Sequence, residues 1–219
     1  MRLTETYKVA LPADVQKRYE MREVRSAAAV LAHTSPDEFA ELVQILSDFA
    51  LTKADIVNPG KNEGQVAKRL NHAFREQGWR EGRHDTKVIS ILKLMPYRPA
   101  GEKKAVTEES EVISEGYKVD NVKGSVALDV EWNAKDGNLD RDLGIYRTLH
   151  EADIIGAGVI ITRTMEDLRD LGHKLGRERF LETSTTTNLT KLEPRMTRGL
   201  GGGCPVLAVA ITARCYRGR

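Results

Sequence analysis

The sequence predicts an α/β fold: a central mixed β-sheet flanked by helices on both faces. Three observations predict it. Amphipathic helical stretches interleave with short strands along the whole chain. Two of those strands, "DIIGAGVIITR" and "GGCPVLAVAITARC", are almost entirely apolar, the composition of strands covered on both sides. At 219 residues, with 40% hydrophobic and 30% charged side chains, the chain is long enough to bury a substantial core. We expect a single domain over residues 1–219, with a helical N-terminal part over about 1–85 and the sheet core over about 86–219.

Taken in order, "MREVRSAAAVLAH" reads as a helix. "TSPDEFAELVQILSDFA" is the clearest one: Ser35 stands at the N-cap, Pro36 at the first helical position and Glu38 completes a capping box. Phe39, Leu42, Val43, Ile45 and Leu46 form its buried stripe. "NEGQVAKRLNHAFREQGW" places Val66, Leu70, Ala73 and Phe74 on one side and Lys68, Arg69 and Arg75 on the other. "TKVISILKLM" reads as a mostly buried strand stopped by Pro96 and Pro99, and the polar run Ala100 to Glu111 as a surface loop within the same sheet. "YKVDNVKGSVALDVEW" is a hairpin turning at Lys123-Gly124, where glycine supplies a positive φ. "DRDLGIYRTLHEA", capped by Asn138, then "TMEDLRDLGHKLG", with Thr164 as cap, and "TNLTKLEPRMTRG" are helices around the two apolar strands.

Composition excludes several classes. No window approaches the 18 apolar residues of a membrane span, and "MRLTETYKVALPADVQKRYE" lacks the apolar core of a signal peptide, so a cytoplasmic protein with no membrane partner is expected. Cys204 and Cys215 form no CxxC pair and the five histidines show no HxxxH spacing, so any metal should be held by oxygen ligands. "GLGGGCP" is not a dinucleotide fingerprint, because it ends a helix and precedes a strand. Net charge is +2 from 34 basic and 32 acidic side chains, yet no acid follows Glu193, whereas Arg195, Arg198, Arg214, Arg217 and Arg219 do.

The hairpin carries the chemistry. At a period of two, Val126, Leu128, Val130 and Trp132 point one way, and Ala127, Asp129, Glu131 and Asn133 the other. With the turn at Lys123-Gly124, Asp120 lies opposite Ala127 and Asp129 is its diagonal neighbour on the same face, roughly 7 Å away. Asp120, Asp129 and Glu131 thus share one face, a crowding of like charge that a divalent cation would relieve and whose hard oxygen donors suit magnesium. Taken alone, an acidic i, i+2 pair is more often a solvated strand face.

Over roughly Asn62 to Thr212 the chain resembles the BglII and BstYI group of type II restriction endonucleases, within the PD-(D/E)xK nuclease superfamily. The segments that carry the resemblance are "YKVDNVKGSVALDVEWNAKDGNLDRDLGIYRTLHEADIIGAGVIITR", "ETSTTTNLTKLEPRMTRGLGGGCPVLAVAIT" and "AFREQGWREGRHDTKV". The resemblance implies a restriction-endonuclease-like core with catalytic and metal-binding acids at Asp120, Asp129 and Glu131. Glu131 stands where the superfamily usually has lysine, which leaves the water-activating group open. Glu81, in "GWREGR", is a candidate further acid, for which a solvent-facing residue after a helix is the better reading.

The resemblance also implies Mg2+-dependent cleavage of double-stranded DNA at a palindrome containing GATC, leaving 5'-phosphates. Cutting both strands of a palindrome calls for a homodimer. Candidate DNA contacts are Asn133, Ser184, Thr185, Thr186 and Thr187 for bases, and Lys135, Arg195 and Arg198 for phosphates. Two other readings compete: a non-catalytic DNA-binding dimer on the same scaffold, whose mark would be a broken acid set, and a repair-type nuclease without sequence preference.

Overall fold

The computed structural model describes residues 1–57, 64–177, 181 and 185–218. Two compact units emerge, one formed by Met1–Gly82 with Val119–Arg219, the other by Arg83–Lys118.

The larger unit begins with β1 (Leu3–Thr4), α1 (Tyr7–Ala10), α2 (Ala13–Arg18), β2 (Tyr19–Val24), α3 (Ala27–Thr34), α4 (Pro36–Asp48), α5 (Lys53–Val57), α6 (Gln65–Glu76) and β3 (Arg80–Arg83). The segment expected to be one helix from Met21 therefore splits. Met21–Val24 pair with the sheet, and the helix starts only after Arg25 and Ser26, both left-handed. Glu23 explains the break: it is fully buried, and its carboxylate accepts from Ala28 N at 2.8 Å and from the Thr6 hydroxyl at 2.8 Å. At the start of α4, Ser35 is the N-cap residue, but its hydroxyl bonds Ser125 Oγ at 2.8 Å instead of capping the helix, so the expected capping box does not form.

The smaller unit contains β4 (Thr86–Leu94) and β5 (Val106–Ser114), an antiparallel two-stranded ribbon. This corrects two expectations: "TKVISILKLM" is not buried, and the supposed loop after it supplies a strand. Ile91 is 57% and Ile113 67% exposed. The reason lies in the partner. A central strand needs apolar neighbours, whereas β5 brings Glu108, Glu109 and Glu111 against β4, with Lys87 and Glu111 paired at 2.7 Å.

Returning to the larger unit, the chain runs through β6 (Lys118–Lys123), β7 (Val126–Val130), α7 (Gly137–Glu151), β8 (Ala157–Arg163), α8 (Glu166–Lys174), α9 (Leu189–Thr197) and β9 (Val206–Ile211). Its seven-stranded sheet has the order β1-β2-β9-β8-β7-β6-β3. The strands β7, β8 and β9 run parallel, while β6 and β2 are antiparallel to their neighbours β7 and β9. One sheet face (Val126, Leu128, Val130, Val159, Ile161, Leu207) packs on α3, α4 and α6 through Leu31, Leu42, Leu46, Leu70 and Phe74. The other (Ala127, Ile160, Val206, Ala208) packs on α7 and α9 through Leu143, Tyr146, Leu149 and Leu192. The predicted mixed sheet between two helical layers is what forms. Close approach of α7 requires Gly158, because a Cβ there would lie 2.2 Å from the Tyr146 ring.

Candidate active site

The β6–β7 hairpin pairs Lys123 with Val126, Val122 with Ala127 and Asn121 with Leu128. The turn residues are therefore Gly124-Ser125, with Gly124 at φ +51°, one position later than expected. Extending that register sets Asp120 directly against Asp129, not against Ala127. The two aspartates interlock through each other's strands. Asp120 N donates to Asp129 Oδ1 at 2.8 Å, and Val130 N donates to Asp120 Oδ2 at 3.2 Å. Each acid thus spends one oxygen on a fixed backbone donor.

The face that carries them is not solvated. Asp129 is 1% and Glu131 4% exposed, because α7 covers it. Glu131 leaves the sheet just past β7. Its N–H still donates to Ile161 O at 2.8 Å, and its carbonyl accepts the hydroxyls of Thr162 (3.1 Å) and Thr187 (2.8 Å), so its backbone is fixed by three bonds. Asn138, expected to cap α7, instead points its amide at the Glu131 carboxylate, 3.4 Å from Oε1, and Asp136 occupies the cap position. A fourth acid, Asp142 on α7, is fully buried. Arg141 holds its Oδ1 from Nε (3.0 Å) and Nη2 (2.8 Å), and the same Nη2 lies 3.6 Å from Glu131 Oε1. Asp129 Oδ2 and Asp142 Oδ2 are buried without any hydrogen-bond partner.

Burial is the main cause of the titration behaviour. It raises the Asp120 carboxyl, although the Val130 N–H and Asn71 amide beside it favour the charged form. Burial, then the charges of Asp142 and Asp120, holds Asp129 well above the usual carboxylate range. Glu131 is pushed up to about 7 by burial, with Asp129 adding to the effect. Asp142 is pushed up to about 8 by burial and by Glu131. Four acids with two nearby guanidiniums, Arg141 and Arg75, still lack positive charge, and at neutral pH they are stable together only as protonated groups or around a cation.

Two contributors to this site were missed in the sequence. Asn71 on α6 hydrogen-bonds the Asp120 carboxyl and accepts from Asn121 Nδ2 at 2.8 Å. Asp142 had a readable signal: it lies three residues after Leu139 and four before Tyr146, inside the apolar stripe of its helix, where a charge needs a reason. Glu81 sits exposed on β3.

A family model described as Restriction endonuclease BglII/BglIII matches residues 19–211. The chain belongs to this family. It is a type II site-specific deoxyribonuclease of the restriction-endonuclease-like α/β fold, its partner is double-stranded DNA, and the family generally uses divalent metal ions. No curated protein matches the chain. Among the described residues no helix is long and apolar enough to cross a membrane.

Of the endonuclease's candidate DNA-contacting residues, Asn133, Lys135, Thr185, Thr186 and Thr187 gather at the exit of β7. Lys135 and Thr186 form an isolated antiparallel bridge, Thr187 N donates to Ala134 O at 2.9 Å, and Asp136 N to Thr185 O at 3.2 Å. Two segments far apart in sequence are so joined beside Glu131. Between them lies Arg163, fully buried at the end of β8. Its Nε donates to Asn133 Oδ1 at 2.8 Å and its Nη2 to Thr186 Oγ1 at 2.6 Å, and Asn133 takes a left-handed backbone at φ +59° to accept. Thr187 is fully buried, its hydroxyl turned inward to Glu131, while Lys135 is exposed. Ser184 lies outside the described residues. On α9, Arg195 grips Asp140 through two bonds of 2.9 and 3.0 Å, and Arg198, just past the helix, is exposed. Cys204 and Cys215 are both buried and unpaired in any disulfide. A separate cleft of about 730 Å3, lined by Glu20, Arg22, Asp167 and Glu193 among others, contains none of Asp120, Asp129, Glu131 and Asp142.

Proposed function

We propose that this endonuclease cuts both strands of a short palindrome containing GATC as a homodimer, hydrolysing phosphodiester bonds with Mg2+ and leaving 5'-phosphates. The observation that carries the reading is the interlocked pair Asp120–Asp129, with Glu131 next along the strand and a buried, unpartnered oxygen on Asp129. An intact acid set favours catalysis over a purely DNA-binding role.

The donor chemistry fits a hard divalent ion. All candidate ligands are carboxylate oxygens, each aspartate has one oxygen fixed by a backbone N–H, and an orphaned buried oxygen is what an anionic site without its counter-charge leaves behind. Among the described residues no three His, Cys, Asp or Glu side chains already stand in a metal-binding arrangement. Like charges do not converge unaided, and here each acid turns instead to a local donor: a backbone N–H, the Arg141 guanidinium or the Asn138 amide. Asp120, Asp129 and Glu131 would hold the ion, which would supply Lewis-acid stabilisation of the scissile phosphate and a more acidic bound water.

The chain's own groups do the rest. Asp120 and Asp129 fix position through their backbone bonds. Glu131, next along the strand, orients water and accepts its proton. Lys135 and Arg198 contact phosphates, which positions the duplex without reading it, and Arg195 does so only by exchanging Asp140 for a phosphate. Asn133, Thr185 and Thr186 belong to the base-reading edge, and Thr187 supports that edge from inside. The test is digestion of phage DNA with Mg2+ followed by run-off sequencing. The expected product is a discrete fragment set with 5'-phosphorylated ends at one palindrome. A smear without a common end sequence would favour a repair-type nuclease, and binding without cutting would favour the DNA-binding dimer.

A further inference from the structure

We propose that Asp142 is a fourth carboxylate of the cation site, its unpartnered Oδ2 binding the same ion as Asp129 while Arg141 holds its Oδ1. The proposal rests on the reading of Asp120, Asp129 and Glu131 as ion ligands and extends it to a helix outside the hairpin.

Asp142 occupies the sheet-facing stripe of α7 with Leu139, Leu143, Tyr146 and Leu149, and it is fully buried. A carboxylate taken from water into such a layer is tolerated only with partners for both oxygens. Arg141 satisfies one. Tyr146, one turn further along, could have satisfied the other, but its single hydroxyl proton goes to Val159 O at 2.7 Å. Asp142 Oδ2 has no N–H or O–H donor, nor has Asp129 Oδ2 on the strand that α7 covers, and the group that meets Asp142 besides Arg141 is another carboxyl, that of Glu131. One guanidinium nitrogen of Arg141 ties the cluster together, 2.8 Å from Asp142 Oδ1 and 3.6 Å from Glu131 Oε1. A purely structural buried acid would use a neutral acceptor such as asparagine at lower cost. Two carboxylate oxygens without a donor, one on Asp129 and one on Asp142, with Glu131 and Asp120 beside them, point instead to a shared cation.

The test titrates the full chain with Mn2+ and follows the loss of the free-ion electron paramagnetic resonance signal, with unfolding temperature measured on the metal-free protein. Asp142→Asn should weaken Mn2+ binding by about tenfold or more, with the metal-free unfolding temperature unchanged or raised. Asp142→Glu, which keeps the charge on a longer arm, should recover part of the affinity and serves if the asparagine variant does not fold. The exposed Asp153→Asn should bind as the parent does. If Asp142→Asn and Asp142→Glu bind Mn2+ like the parent while Asp129→Asn does not, Asp142 is outside the site and the proposal fails, though the hairpin reading stands. If Asp129→Asn also binds normally, the hairpin reading itself is wrong. A fall in metal-free stability with unchanged affinity would make Asp142 a structural residue and likewise overturn the proposal.

Discussion

Two buried charge sites stand side by side at the ends of β7 and β8, and they solve opposite problems. At the end of β8 the Arg163 guanidinium is fully buried with no carboxylate in ion-pair reach among the described residues. Burial pushes its pKa down to about 10, yet neutral oxygens of Asn133, Thr186 and Thr164 accept from it. At the end of β7 the carboxylates of Asp129, Glu131 and Asp142 share one guanidinium and leave two oxygens bare. The first site is closed: fixed dipoles satisfy the cation, and nothing exchangeable is needed. The second is open, because only something from solution can complete it. The closed site clamps the loop of Asn133 to that of Thr186, and the open one, directly beside it, is the site we propose for the chemistry.

Removing one group from each site would sharpen this contrast. The largest effect should come from the open site. Glu131→Gln keeps shape and hydrogen bonding but removes the charge, and should slow single-turnover cleavage by on the order of 10²–10³-fold with DNA binding retained. Next, Arg163→Met should destabilise the protein by about 2–3 kcal/mol, since it strands the Asn133 and Thr186 acceptors, with Mn2+ affinity unchanged in the same preparation. Urea unfolding and a metal titration check the two halves, and a large change in ion affinity would show that the two sites are not separate.

A third effect is in pH. Glu131 and Asp142 have folded-state pKa values of about 7 and 8, raised above their ordinary values. Groups raised in this way stabilise the fold fully below their unfolded pKa, and that contribution is lost as pH rises through the folded value. The metal-free protein should therefore unfold at a lower temperature at pH 8.5 than at pH 5.5, within roughly that window, and Mg2+ should restore more stability at the higher pH. Equal unfolding temperatures at both pH values would contradict the assigned crowding. The smallest effects belong to the surface: Lys135→Ala and Arg198→Ala should each lower the salt dependence of DNA binding by about one unit of slope.

Much of this was legible in the sequence, for stated reasons. The period of two in "ALDVEWN" fixed which residues face α7, and the all-apolar runs marked β8 and β9 as inner strands. What failed was phase and partnership. Gly124 serves the turn in either register, so sequence could not decide between Lys123-Gly124 and Gly124-Ser125, and that single step moves Asp120 from Ala127 to Asp129. The strand at Thr86–Leu94 looked buried because burial depends on what pairs with it, and its partner is an acidic run read as a loop. Arg163 looked like the charge that ends an apolar strand, and only the fold shows Asn133 and Thr186 closing over it.

Whether Asp120 and Asp129 hold the ion needed for cleavage is tested most directly by Asp120→Asn, with cleavage in Mg2+ and duplex binding measured on the same protein. The predicted result is retained binding with cleavage lost. Cleavage by Asp120→Asn at the parent rate would contradict the assignment of this hairpin as the active site.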